Sequence, residues 1–127
     1  MSKKIIFCDN APAAIGPYSH AVEANGMLFV SGQVPLVPAT GEIVEGGIKE
    51  QTKQSLSNID AILKGSGYTK YDVIKSTIFI SDMNEFGIVN EVYGDYFESH
   101  KPARACVQVA RLPKDVGVEI EVIAVKE

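Results

Sequence analysis

The spacing of apolar residues changes period several times along the chain, and each change marks an element. A run at residues 5–8 (Ile-Ile-Phe-Cys, ahead of Asp9) reads as a short strand. Two further runs, residues 18–24 and 27–31, flank Asn25-Gly26, a pair that readily takes the positive φ values of a type I′ turn, so a β-hairpin is predicted there. The stretch after it, Ser31-Gly32-Gln33-Val34-Pro35 and onward to Gly41, reads as a loop in which glycine lets the backbone approach a ligand closely.

Helical spacing takes over at residues 47–64. Ile48, Leu56, Ile59, Ile62 and Leu63 fall on one stripe, Thr52 fills its remaining position, and Gly65 and Gly67 punctuate the end. Residues 73–80 (VIKSTIFI) are rich in β-branched side chains and predict a strand. Asp82 and Glu85 then have capping-box spacing and open a second helix that runs to about Ser99. Its stripe is Phe86, Val89, Tyr93, Tyr96 and Phe97, and at 100° per residue Asn90 falls inside it, where a polar group needs a partner.

Two strands, residues 104–111 and 116–125, close the chain and are expected to pair as a hairpin through Leu112-Pro113-Lys114-Asp115. Period-2 alternation places Ala105, Val107 and Val109 with Val118, Ile120, Val122 and Ala124 on one face. Arg104, Cys106 and Gln108 would share the other with Glu119, Glu121, Ile123 and Val125. The order strand, hairpin, helix, strand, helix, hairpin predicts an α+β fold, a mixed sheet with both helices on one side, in a single domain spanning residues 1–127.

Composition narrows the class of function. A chain of 127 residues that is 46% hydrophobic has material for one core without disulfide or metal staples. Twelve Lys and Arg against sixteen Asp and Glu give a net charge of −4, and no basic run exceeds Lys3-Lys4, so no nucleic-acid partner is expected. The first apolar run is too short for a signal-peptide core or a membrane span, which predicts a cytoplasmic protein with no membrane partner. Cys8 and Cys106 form no Cys-x-x-Cys pair and read as reduced thiols rather than a disulfide or a zinc site.

The usual nucleotide-loop and His-Glu-x-x-His signatures are missing, and no metal or cofactor is expected. His20 and His100 read as solvent-adjacent rather than as bases of a nucleophile dyad. Within residues 102–106, Pro-Ala-Arg-Ala-Cys, a guanidinium and a thiol point the same way from one strand, with carboxylates expected on the same face of the next. Arg104 can bind a carboxylate through its planar fork while Glu119 handles water or protons. An exposed Arg–Glu pair on a sheet surface is the equal alternative from spacing alone.

Four ordered blocks carry a resemblance. Asn10-Ala-Pro-Ala-Ala-Ile-Gly-Pro-Tyr18-Ser, Val30-Ser-Gly-Gln-Val-Pro35, Pro102-Ala-Arg-Ala-Cys106, and Arg111-Leu-Pro-Lys-Asp-Val116 followed by Val118-Glu-Ile-Glu121 resemble the RidA/YjgF family of reactive-intermediate deaminases across almost the whole chain. The resemblance implies a chorismate mutase-like fold assembled as a homotrimeric barrel, with active sites in clefts between subunits. It also implies hydrolysis of small 2-imino acids to 2-oxo acids and ammonia, without a cofactor. Arg104 then matches the substrate-carboxylate ligand and Glu119 the water-positioning glutamate. Tyr18, Ser31, Gly32 and Cys106 match pocket-lining positions, and Asn90 a helix position near the cleft. The stretch His100-Lys101 before Pro102 is shorter than in many family members, which bears on the cleft mouth. A non-catalytic sensor of small acids with the same fold is the alternative, and a nuclease, which older family names evoke, is disfavoured by the acidic charge.

Overall fold

In the computed structural model, which describes residues 2–126, strands β1 (Lys4–Ile6), β2 (Ala21–Ala24) and β3 (Met27–Gln33) form an antiparallel run at one end of a sheet. The β2–β3 turn is built on Asn25 and Gly26 at φ 54° and 73°, as their dipeptide predicts. Helix α1 (Ile48–Gly65), strand β4 (Val73–Ile80), helix α2 (Phe86–Phe97) and strands β5 (Ala103–Gln108) and β6 (Val118–Val125) complete the chain. The sheet order is β1-β2-β3-β6-β4-β5. It is mixed, because β4 and β5 run parallel while the other pairs are antiparallel.

This order corrects the expected final hairpin: β4 lies between β5 and β6. The chain leaves β4, crosses through α2 and returns beside it as β5, and such a strand–helix–strand crossover naturally yields parallel neighbours. β6 then enters antiparallel to both β3 and β4 and becomes the centre of the sheet.

The core lies between the helices and one sheet face. Ile59, Ile62 and Leu63 from α1, Val89 and Phe97 from α2, and Ile78, Ile80, Val118, Ile120 and Ala124 from the sheet are almost fully shielded. The buried Tyr93 hydroxyl ties α2 to β4 through Ser76 Oγ at 2.9 Å. Among the described residues, the opposite sheet face carries no helix. Apolar side chains there stay open, with Phe29 44% and Val107 43% exposed. Below Ser81, Asp82 Oδ1 accepts the Asn84 N–H at 3.0 Å and caps a short 3₁₀ turn over residues 83–85, so α2 proper starts later than the spacing implies and ends at Phe97.

Candidate active site

Register decides which side chains can meet. Ser76, Ile78 and Ile80 pair with Arg104, Cys106 and Gln108 across the parallel ladder, so all six share the helix-covered face. Thr77 and Phe79 pair with Glu121 and Glu119 in β6 and with Ala105 and Val107 in β5, so these point to the open face. Arg104 and Glu119 therefore lie on opposite faces of the sheet. The expectation that they share one face fails, and with it the surface Arg–Glu pair. Alternation along a strand sorts its own side chains correctly, but aligning two strands needs the intervening β4.

Each face carries its own cleft. On the helix side, a cleft of about 380 Å³ is lined by Asn90, Tyr93, His100, Lys101, Pro102 and Arg104, among others. The Arg104 guanidinium carbon sits 5.0 Å from the ring centre of Tyr93 and 5.5 Å from that of Phe86, and these rings fix its plane. Among the described residues its hydrogen-bond partner is Asn90 Oδ1, which accepts from Nη1 at 2.8 Å. Most of the fork's donors are thus left for a ligand. Asn90 is exposed on the flank of the α2 stripe, which corrects the expectation that it lies inside, and its side chain orients Arg104. Cys106, two residues along β5 on the same face, is half-buried, and burial pushes its thiol above the ordinary value, against a smaller lowering by Arg104. A thiol held protonated in this way is a poor nucleophile.

On the open side, a cleft of about 460 Å³ brings together Ile15, Tyr18, Ser31, Gly32, Pro113, Glu119 and neighbouring positions. Ser31 and Gly32 belong to β3 rather than to a loop, at a bulge where the β3–β6 register shifts between Val30 and Gln33. Ser31 Oγ donates to the Ser19 carbonyl at 2.7 Å and fixes the strand beside Tyr18. A side chain at Gly32 would overlap the Glu119 carboxylate, so glycine lets that group lie against the bulged backbone. Burial, with Glu121 adding a like charge, raises the Glu119 carboxyl above the ordinary carboxylate value.

The structure thus gathers Tyr18, Ser31, Gly32 and Glu119 in one cleft and Asn90 and Arg104 in another, with Cys106 packed against the core on the Arg104 face and lining neither. The sequence reading missed Phe86 and Tyr93 as the clamp on Arg104. Both fall on the apolar stripe of α2 and read as core, although a guanidinium needs flat apolar faces to hold its plane. The histidines are also corrected. His20 is only 3% exposed, with Nδ1 accepting the Cys8 N–H at 2.8 Å and Nε2 donating to the Pro12 carbonyl at 2.7 Å. His100 is half-buried, its Nε2 donating to the Val73 carbonyl at 2.8 Å. Among the described residues, no three His, Cys, Asp or Glu side chains converge as metal ligands, and no helix is long and apolar enough to cross a membrane.

Comparison with known proteins places the chain and its fold in a wider set. Residues 8–126 match the family model described as Endoribonuclease L-PSP. A RutC family protein from Pyrococcus horikoshii is 58% identical over 125 residues, 98% of this chain and 99% of that protein. The 2-iminobutanoate/2-iminopropanoate deaminase of Mus musculus is 50% identical over 124 residues, 98% of this chain and 92% of that protein. Among solved structures, TdcF of Escherichia coli with bound serine superposes with a TM-score of 0.93 at 50% identity, covering 98% of this chain and 99% of that one.

Proposed function

Because the chain belongs to the Endoribonuclease L-PSP family, the RidA/YjgF proteins, we propose that it hydrolyses small 2-imino acids to 2-oxo acids and ammonia. The observation that carries this reading is a pair of complementary half-sites. One holds a rigid guanidinium with unused donors, and the other holds a half-buried carboxylate with a raised pKa. Arg104 takes the substrate carboxylate through its fork, with Asn90, Phe86 and Tyr93 fixing the plane. Glu119 binds the attacking water and accepts its proton.

An iminium carbon is already electrophilic, so a fixed substrate and an oriented water supply what the reaction needs. The water oxygen bonds to C2 as the C=N π pair moves to nitrogen, and Glu119 takes a water proton to leave a neutral carbinolamine. Glu119 then returns that proton to nitrogen. The C–N bond breaks, the oxygen lone pair closes the carbonyl, and the hydroxyl proton leaves with ammonia as ammonium. No covalent enzyme intermediate is required, in keeping with the protonated Cys106 thiol.

Opposite faces of one sheet cannot serve one small ligand within a single chain. We infer that the working unit is a homotrimer in which the Arg104 cleft of one subunit closes against the Glu119 cleft of the next. Two features support this assembly: the uncovered apolar sheet face, and the position of β5 as an edge strand carrying Arg104. Imines generated by an amino-acid oxidase in the presence of semicarbazide test the activity. The protein should speed ammonia release and suppress semicarbazone formation from small aliphatic imines. A 2-oxo acid that binds through Arg104 with no effect on either product would favour the sensor instead.

A further inference from the structure

Two polar side chains of α1 point inward with no part in the chemistry derived above: Asn58 ends on Val34 in the wall of the Glu119 cleft, and Gln51 ends on Gly117 just ahead of Glu119. Gln51 and Asn58 are seven residues apart, which brings them to the same helix face two turns on, about 10 Å along the axis. Gln51 Oε1 accepts the Gly117 N–H at 2.7 Å. Asn58, only 1% exposed, donates from Nδ2 to the carbonyls of Leu36 at 2.9 Å and Val34 at 3.2 Å, and its Oδ1 accepts from Gln54 at 3.0 Å.

Gly117 stands two residues before Glu119, and Val34 two residues after Gly32, against which the Glu119 carboxylate lies. The Gly117 segment is seated tightly. A Cβ there would come within 2.8 Å of Ile48 Cδ1 and 3.2 Å of Gln51 Oε1, and the Gly117 carbonyl accepts the Ser81 N–H at 3.1 Å. Helix α1 thus holds the backbone just before Glu119 and the backbone just after the bulged Gly32 against which its carboxylate lies. Such contacts cost nothing at the moment of reaction, because they are made before substrate arrives.

We propose that Gln51 is a positioning residue for Glu119, setting the start of β6 through the Gly117 amide, while Asn58 fixes the facing wall through Val34 and Leu36. The inference rests on the reading of Glu119 as the water-binding group. Gln51 touches no reacting atom, so its effect runs entirely through placement. A small displacement of a proton-accepting group costs rate rather than affinity.

Gln51→Met keeps the length and apolar stem but removes the acceptor, and Gln51→Glu keeps an acceptor oxygen in the same place. In the oxidase-coupled assay, Gln51→Met should lower kcat about 10-fold or more with KM nearly unchanged. The acidic limb of its kcat–pH profile should move down, because a Glu119 released toward water returns to the ordinary carboxylate range. Gln51→Glu should recover most of the lost kcat. Hydrogen exchange at the Gly117 amide, read without substrate, should be slow in the parent and fast in Gln51→Met. Parental kcat and pH profile in Gln51→Met, equal impairment of both variants, or an unchanged Gly117 exchange rate would each overturn the positioning role. Full kcat in Glu119→Gln would instead overturn the reading of Glu119 itself, so the two failures are distinguishable.

Discussion

The two clefts hold their key side chains by opposite means. Arg104 is oriented by other side chains: two aromatic rings set its plane and one amide its direction, all from a helix crossing above an edge strand. Glu119 is oriented by backbone, lying against a bulged glycine on a central strand whose start is seated by a helix. The first arrangement suits a group that must capture and release a charged ligand. The second suits a group that must meet a water at one fixed place.

The difference sets the kind of damage each cleft suffers. The largest effect is expected at Glu119→Gln, which keeps size and can still hold water but cannot take a proton. Its kcat should fall about 10²-fold or more with KM nearly unchanged. The raised carboxyl gives this a pH signature. Glu119 protonates on acidification before an ordinary carboxyl would, so parental kcat should fall early on the acid side, and Glu119→Gln should lose that limb.

At the other cleft, Arg104→Lys exchanges a planar fork for a point charge, losing a charged hydrogen bond worth about 1.5–3 kcal/mol and raising KM about 10- to 100-fold. Steady-state kinetics with one imine would show the split. Gly32→Ala disturbs the backbone seat of Glu119. Its new methyl meets the far end of the flexible Glu119 side chain, so thermal stability should change little while kcat drops about tenfold as the carboxylate is pushed aside. Cys106→Ser should have the smallest effect, within about threefold in kcat, because no thiol attack is needed. Inactivation of an intact assembly by that change would restore a covalent role.

What the sequence reveals follows the range of the interactions involved. The β2–β3 turn depends on two adjacent residues with positive φ, and the α1 stripe on spacing within one helix, so both are legible directly. The placement of β4 between β5 and β6 depends on contacts far apart in the chain. A plausible short connection hid it, although strand, helix and strand in succession are the order that a parallel crossover requires. That one strand decides whether Arg104 and Glu119 share a face. His20 escaped for a related reason, since its buried partners are backbone groups of residues 8 and 12 that no side-chain pattern announces.

Whether one active site is divided between two subunits is decided by mixed assembly. An Arg104→Lys chain and a Glu119→Gln chain are co-refolded in equal amounts and assayed with the same oxidase-generated imine held below the parental KM, where each is crippled alone. If the clefts meet across a subunit boundary, one site in four pairs an intact Arg104 with an intact Glu119, and activity should return to about a quarter of the parental value. Activity no higher than the average of the two variants, in particles whose trimeric mass and mixed composition are verified, would contradict it.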